Sequence, residues 1–300
     1  MKKGILLIII ATLLVANKAY SYGDSFRTWI LESTAIVVSS NLIWNIDKTD
    51  LDRNSTLPKG KIDIAEIIWG QVSGGTTIDA YQLGCNLYDD DMENTSSIRF
   101  LRKEADAYYL LGSIQNITKT DIEFIRQRIT ELQDIYKIED LKARYPKIID
   151  WMVTCIQNSH TRNACYELDT YSDFLEYYKD KGVISSTTIQ LDPAQKKIIK
   201  THLFTYELSW EDLDIVDLIM KDYLAETEKF LLDMLKGLTD DKLYYADWIM
   251  ERLLKIKTDG KLKKIAKAIE SDKFEKLRQK GLVNDFIKAY EKNGGDKTQK

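Results

Sequence analysis

The spacing of apolar residues changes once along the chain, close to residue 118. Upstream, short runs of β-branched and aromatic residues are separated by polar and Gly-containing stretches, which predicts strands. The predicted strands cover residues 35–38 with 42–44, 61–69, 76–83, 98–101 and 107–111. Downstream, apolar residues recur every three or four positions, which predicts helices. The sequence therefore predicts an α+β protein in which a β domain precedes an all-α domain.

Five short strands with a long excursion after the first are typical of a small closed barrel, so we expect an OB-like, five-stranded β-barrel. An open sheet covered by a helix is the alternative. In the second strand the apolar residues change face between Ile64 and Ala65, which indicates a β-bulge where the strand bends. A short helix over residues 25–31 is expected to precede the barrel.

Helix start signals mark the second half of the chain. Thr120 followed by Glu123 predicts a capping box. Asp192 followed by Pro193 predicts a second helix start, and residues 209–212 predict a third. Further amphipathic stretches cover residues 146–157, 170–179, 240–256, 261–269 and 272–291. Helix pairs recur about every 40 residues, which permits either an irregular bundle or a HEAT-like stack of helical hairpins.

The first residues have the three parts of a cleavable signal peptide. Lys2 and Lys3 precede an uncharged apolar run over residues 4–16, and small residues follow up to Ser21, after which we expect cleavage. The run is shorter than the roughly 20 residues that a membrane-spanning helix needs. The predicted organisation is a signal peptide (1–21), a barrel domain (22–117), a helical domain (118–292) and a disordered tail (293–300). An exported protein, periplasmic or secreted, is expected.

Acidic residues outnumber basic ones, which gives a formal net charge of −4 and argues against general nucleic-acid binding. The distribution is uneven, because residues 251–300 carry 15 Lys and Arg against 8 Asp and Glu. These lysines either solvate the outer faces of the last helices or form a basic patch for an anionic surface, such as lipid headgroups or an acidic partner. The sequence leaves both interpretations open.

Three cysteines are too few to build a disulfide scaffold, and in an oxidising compartment their odd number leaves one unpaired or joined to another chain. Cys155 and Cys165 flank the polar stretch 157–163. A turn there would bring them together, so they form a candidate disulfide. Cys85 lies in the predicted barrel domain.

No coherent set of catalytic or ligand-binding residues is evident. The two histidines, His160 and His202, lie in different helical segments without acidic or Cys neighbours at ligand spacing. The acidic cluster over residues 89–93 lacks the turn glycine of an EF-hand and is interpreted as a solvated loop. We therefore predict no catalytic residue, no cofactor and no metal site.

Aromatic residues offer contact surfaces instead. The chain has 6 Trp and 17 Tyr, including adjacent tyrosines at 108–109, 177–178 and 244–245. Neighbours on one element point in different directions, so one member of each pair is expected to be partly exposed. Exposed aromatic side chains favour contacts with proteins or glycans.

The stretch 33–112 resembles secreted modules with an OB-like barrel, of the tissue-inhibitor and netrin type. The resemblance rests on residues 35–38, residues 64–70, Cys85 and the closing hairpin over 98–111. It implies a small exported barrel. Inhibitors of that type reach a protease metal with an N-terminal Cys, whereas the mature chain is expected to begin at Tyr22, so protease inhibition does not follow.

These patterns favour a non-catalytic binding or interaction protein of the bacterial cell envelope, whose partner is another envelope protein or a glycan. The alternative is a carboxylate-dependent hydrolase acting on an envelope glycan, which an acidic sequence leaves open. Two facing carboxylates with raised pKa values would favour the enzyme. A third hypothesis is that the basic C-terminal region docks on lipid.

Overall fold

The computed structural model describes residues 25–45, 59–82, 96–169, 172–205, 212–240, 242–257, 259–271 and 276–295. The predicted signal peptide, the acidic cluster at 89–93, Cys85 and most of the predicted helix start at 209–212 lie outside these ranges. The chain divides into two compact units, Met1–Ala164 and Cys165–Lys300. Each unit is described by itself.

Unit 1 begins with a short helix, α1 (Phe26–Glu32), followed by five strands. They are β1 (Ala35–Asn45), β2 (Lys59–Gly70), β3 (Thr77–Gln82), β4 (Ser97–Glu104) and β5 (Ala107–Ile114). The strand order is β1-β2-β3-β5-β4, and the barrel closes through an antiparallel β1–β4 pair. The β3–β5 pair is parallel. The predicted OB-like, five-stranded barrel is therefore confirmed, and the alternative of an open sheet is wrong.

The predicted bulge in β2 is present. Val38 of β1 lies opposite Glu66, whereas the next residue, Ser39, lies opposite Ile64. The pairing of β2 with β1 thus skips Ala65. At this position the apolar residues of β2 move from one face of the strand to the other. Such an extra residue bends the strand, as closing a small barrel requires.

The barrel interior is filled by alternate residues of the strands. The buried cluster consists of Ala35, Val37, Ile62, Ile78, Ala80, Leu101, Tyr108 and Leu110. Tyr108 directs its hydroxyl to the connection before β3, where it accepts the backbone N–H of Ser73 at 2.9 Å. The one polar group of this cluster thus has a partner at the barrel end, as a buried hydroxyl requires.

Helix α1 packs against β4 and β5. Ser25 caps it by accepting the N–H of Thr28 at 3.2 Å. The indole of Trp29 lies so close to β5 that a Cβ on Gly112 would sit 2.3 Å from the Trp29 ring. Gly112 is therefore the residue that lets this helix approach the sheet.

Two longer helices, α2 (Lys119–Tyr136) and α3 (Leu141–Cys155), complete unit 1. Phe26 lies between the ring of Phe100 on β4, at 5.9 Å edge-on, and the ring of Trp151 on α3, at 5.7 Å and nearly parallel. Trp151 in turn donates its indole N–H to the carbonyl of Arg128 on α2 at 2.8 Å. The barrel and the first two long helices therefore share one core, and the compact unit extends to Ala164.

The change from strand to helix falls between β5 and α2, as the change of period predicts. The compact unit nevertheless continues beyond the predicted domain boundary at 117/118. That boundary marks a change of secondary structure, and independent folding of residues 22–117 and 118–292 stays a prediction.

The capping box of α2 differs from the predicted one. Thr118, not Thr120, is the N-cap, and its hydroxyl accepts the N–H of Asp121 at 3.2 Å. The Asp121 carboxylate accepts the N–H of Thr118 at 2.8 Å in return. The sequence offers the same Thr-x-x-acid pattern twice, two residues apart, and the upstream copy begins the helix earlier. The cap at Asp192 is confirmed, because its side chain and that of Gln195 form a second capping box.

The regular secondary structure of unit 2 consists of helices in all of its described residues. After a 3₁₀ helix (Arg162–Leu168) that crosses the unit boundary come α4 (Asp173–Asp180), α5 (Pro193–Leu203), α6 (Asp212–Ile219), α7 (Leu224–Lys236), a second 3₁₀ helix (Leu243–Tyr245), α8 (Ala246–Ile256), α9 (Gly260–Ser271) and α10 (Lys276–Gly295). An all-α second half is therefore confirmed. Among the described segments, no helix is long and apolar enough to cross a membrane.

The last four helices contact one another in a cycle. Helix α7 packs on α8, α8 on α9, α9 on α10, and α10 returns to α7. In a stack of helical hairpins, the first and last helices of two successive hairpins are not neighbours. A closed cycle of contacts is typical of a helix bundle, so the bundle alternative is the one found for these helices.

Gly112→Ala should destabilise unit 1, because the added methyl group overlaps the Trp29 indole and must displace α1. We expect a loss of about 1–3 kcal/mol in the free energy of unfolding, as for other overpacked sites. Urea unfolding followed by circular dichroism measures it.

Gly281→Ala in α10 is the matched control, since a Cβ there meets nothing within 4 Å. It should be neutral or stabilising by up to about 1 kcal/mol, the difference in helix propensity. Equal effects of the two substitutions would contradict the close packing of Trp29 on Gly112.

Candidate functional site

The start of α8 carries an exposed group of aromatic side chains, which we call the aromatic patch: Tyr244, Tyr245 and Trp248. Tyr244 is 58% exposed and Trp248 is 39% exposed. The Tyr244 and Tyr245 rings lie 3.9 Å apart between centroids, and Tyr245 lies 6.2 Å from Trp248. The two tyrosine hydroxyls are hydrogen-bonded to each other. The 3₁₀ turn before α8 thus places three rings side by side at the surface of unit 2.

The expectation for adjacent tyrosines is confirmed at all three pairs. Tyr178 is 1% exposed, whereas its neighbour Tyr177 is 44% exposed. In the pair 244–245 the first residue is exposed and the second half-buried, and in the pair 108–109 the first is buried and the second half-buried. Only the pair at 244–245 is joined by a nearby exposed Trp in the described chain.

One turn after Trp248, Arg252 is buried and surrounded by acceptors. Its Nε donates to the carbonyl of Leu213 at 3.0 Å, and its Nη1 to the carbonyl of Trp248 at 3.3 Å. Its Nη2 contacts carboxylate oxygens of both Asp214, at 2.6 Å, and Asp217, at 3.1 Å. A guanidinium presents five N–H donors in a fixed plane, so it can hold several acceptors at once. Arg252 therefore fastens α8 to α6.

The Asp214 carboxyl has an unusual environment. Partial burial raises the pKa of Asp214 above its ordinary value, and the neighbouring Asp169 and Asp217 carboxylates add to the rise, while Arg252 opposes it. Asp217 is held from a second side by the Lys255 ammonium at 3.2 Å. Asp214 and Asp217 thus both contact Nη2 of Arg252. Of the two, Asp214 is protonated more readily than an exposed aspartate.

This arrangement is compatible with two functions, binding and acid–base catalysis. The exposed rings provide large, rigid contact surfaces for a partner, and the buried Arg252 holds the helix that presents them. The carboxylate pair could instead serve acid–base chemistry, because neighbouring acids with separated pKa values are characteristic of hydrolytic sites. Structural ion-pair networks perturb pKa values as well, so the raised pKa does not decide between them.

A second aromatic surface lies on the barrel of unit 1. Tyr81 of β3 and Tyr109 of β5 are direct neighbours across the parallel pair, with ring centroids 5.7 Å apart. Lys59 lies over the Tyr81 ring and is neutralised by Asp79 at 2.8 Å. Both tyrosines are half-buried, so less ring surface is available here than at the aromatic patch.

The sequence did not indicate the residues around Arg252. Asp214 and Asp217 lie three residues apart on α6, and Arg252 and Lys255 have the same spacing on α8. Each spacing places two like charges on one helix face, a signal that is visible in the sequence. Their pairing depends on how α6 packs against α8, which the sequence does not reveal.

The two cysteines of the candidate disulfide are both fully buried. Cys155 is the last residue of α3 in unit 1, and Cys165 lies in the following 3₁₀ helix, in unit 2. Their disulfide stays a prediction.

The two histidines occupy unremarkable positions. His160 lies in the turn after α3, where its backbone N–H is bound by Asn158, and His202 lies in the last turn of α5. Within the described ranges, no three His, Cys, Asp or Glu side chains are grouped so that they could hold a metal ion.

Comparisons with protein-family models, curated proteins and solved structures give no match to this chain. The resemblance of residues 33–112 to tissue-inhibitor and netrin-type modules therefore stays a prediction.

Asp214 should give stability a defined pH dependence. Its pKa in the folded chain lies above the ordinary 3.8, so the folded state takes up this proton before the unfolded state does. The free energy of unfolding contributed by this group is therefore gained as the pH falls through the folded pKa, and lost as the pH rises through it. Wild type should gain stability relative to Asp214→Asn between about pH 7 and about pH 4, measured by urea unfolding.

Asp233→Asn is a control of opposite sign. The hydrogen bond from Lys229 lowers the pKa of Asp233 below its ordinary value. Wild type should therefore lose stability relative to this variant as the pH falls below about 4, through the ordinary pKa of an aspartate. If Asp214→Asn behaved like Asp233→Asn, Arg252 would outweigh burial at Asp214.

Proposed function

We propose that this protein is an exported, non-catalytic binding protein of the bacterial cell envelope, and that the aromatic patch is the surface on which it holds another envelope protein. The observation that carries the proposal is the grouping of exposed Tyr244 and Trp248 around Tyr245. Export is supported by the leader-like residues 1–21 of the sequence.

A protein partner fits the composition of the aromatic patch. Tyr and Trp are enriched among the residues that dominate protein–protein binding energy, since each buries a large area at a small cost in side-chain entropy. Isolated apolar residues on a surface need no explanation, but three adjacent rings form a contiguous apolar patch.

The support beneath the aromatic patch also favours binding. The carbonyl of Trp248 accepts from Arg252, whose other N–H groups are bound to α6. Helix α8 is therefore held in place before any partner arrives. Pre-organised side chains lose less freedom on association, which leaves more of the contact energy as affinity.

The test is affinity capture from envelope extract, with the chain from Tyr22 onward as bait. Wild type should retain a protein that the double variant Tyr244→Ala/Trp248→Ala does not. With the retained protein purified, each single substitution should raise its Kd by about thirtyfold or more, the effect of losing a hot-spot aromatic residue.

Tyr177→Ala is the matched control, because Tyr177 is an exposed tyrosine that lies on α4, outside the aromatic patch, and is 44% exposed. It should bind like wild type. Equal retention by wild type and the double variant, or no retained protein, would contradict the role of the aromatic patch. If the bait instead retained a glycan, identified by its sensitivity to periodate, the partner would be a sugar and not a protein.

The second candidate is a carboxylate-dependent hydrolase acting on an envelope glycan. It is favoured by one observation, the raised pKa of Asp214 beside Asp217. In retaining glycosidases a protonated acid and a nucleophilic carboxylate lie about 5 Å apart. Here both carboxylates are occupied by Arg252, and a bound guanidinium competes with both roles.

Release of reducing ends from an envelope glycan fraction separates the two functions. A binding protein releases none above the buffer blank. A hydrolase would release them, and both Asp214→Asn and Asp217→Asn would lose the activity by several orders of magnitude, since each removes one of the two required carboxyl groups. Activity that survives both substitutions would place the chemistry elsewhere.

A further inference from the structure

Helix α9 carries a row of exposed lysines. Lys261, Lys263, Lys264 and Lys267 are all exposed, and we call them the α9 lysine face. At 3.6 residues per turn they occupy the arc of the helix opposite Leu262 and Ile269, which are 0% and 2% exposed. The apolar side of α9 is therefore buried in the bundle, and its cationic side faces solvent.

The lysine-bearing stretch of α9 is rich in positive charge. Residues 260–269 contain no Asp or Glu. Within the part of the chain that the structure describes, none of the four ammonium groups has an ion pair. Several lysines on other helices of unit 2 differ, since those at 196, 200, 229, 236 and 255 each contact a carboxylate.

Part of the α9 lysine face lies at the helix N-terminus, where the helix dipole adds to the positive electrostatic potential of the lysines. Two of the four lysines, Lys261 and Lys263, lie in the first turn of α9, where the helix dipole is positive and cations are disfavoured. The nearby Asp259 carboxylate accepts the backbone N–H of Lys261 at 2.7 Å and caps the helix. The chain thus concentrates positive charge where it costs folding energy, although the whole protein has a formal net charge of −4.

We propose that the α9 lysine face docks the protein on an anionic lipid bilayer. Lysine ammonium groups are flexible point charges, which suit dispersed headgroups better than a shaped ligand that needs bidentate contacts. None of the large apolar side chains exposed in the described chain lies on α9. The contact is therefore electrostatic, reversible and weakened by salt. It goes beyond the proposed binding function and does not depend on the aromatic patch.

Vesicle co-sedimentation tests the proposal with the full mature chain. Wild type should bind vesicles of phosphatidylglycerol mixed with phosphatidylcholine, and not vesicles of phosphatidylcholine alone. Substitution of all four lysines by Gln should lower the affinity by at least two orders of magnitude, because each lysine near an anionic surface contributes about fivefold. Added salt should release the wild type.

Three variants make the test specific. Substitution of the same lysines by Arg keeps the charge and should retain binding. Gln at four exposed lysines elsewhere, positions 142, 147, 197 and 221, removes equal charge and should also retain binding. Tyr244→Ala/Trp248→Ala should bind vesicles like wild type, which separates this proposal from the proposed function.

Three results would overturn the proposal. They are wild type that stays in solution with anionic vesicles, an α9 Gln variant that binds as wild type does, and an equal loss of binding in the two Gln variants. The last result would show that total charge, not the α9 lysine face, governs the contact. Circular dichroism of each variant verifies that it is folded, so loss of binding is not loss of structure.

Discussion

The packing of Phe26 between Phe100 and Trp151 is the contact on which unit 1 depends. A barrel of about 80 residues buries too little surface to be more than marginally stable. Phe26 and Phe100 are fully buried where α1, the barrel and α3 meet. Burying one such ring contributes about 1.5–3 kcal/mol, and each aromatic pair adds about 0.5–1.5 kcal/mol. The helices thus add a second buried cluster to the one inside the barrel.

Local patterns predicted the elements of this protein, and contacts distant in sequence decided the rest. The bulge at Ala65 and the cap at Asp192 follow from neighbouring residues, so both were predictable. The extent of unit 1 depends on Phe26 meeting Trp151, which no periodicity reveals. One exposed member of the pair 244–245 was predicted, without saying which, because adjacent residues diverge. The ion pairs of Arg252 require the packing of α6 on α8.

Arg252 links the architecture of unit 2 to its surface chemistry. A buried charge is costly unless every donor is matched, and here backbone carbonyls and two carboxylates surround the guanidinium. That satisfied network fixes the helix from which Trp248 projects. The lysines of α9 present the opposite case, because their charges are left to solvent. Within unit 2, the buried charge of Arg252 holds helices together, whereas the charges of the α9 lysines face solvent.

The closure of the barrel sets the order in which the chain can become structured. Strand β1 has one neighbour in β2, but its other edge stays open until β4 arrives, more than 50 residues later. Strand β3 likewise waits for β5, the last strand to be synthesised. Such long-range pairings slow folding, since a large loop must close before they form. A nascent chain therefore keeps unpaired strand edges until the residues up to Ile114 are available for pairing.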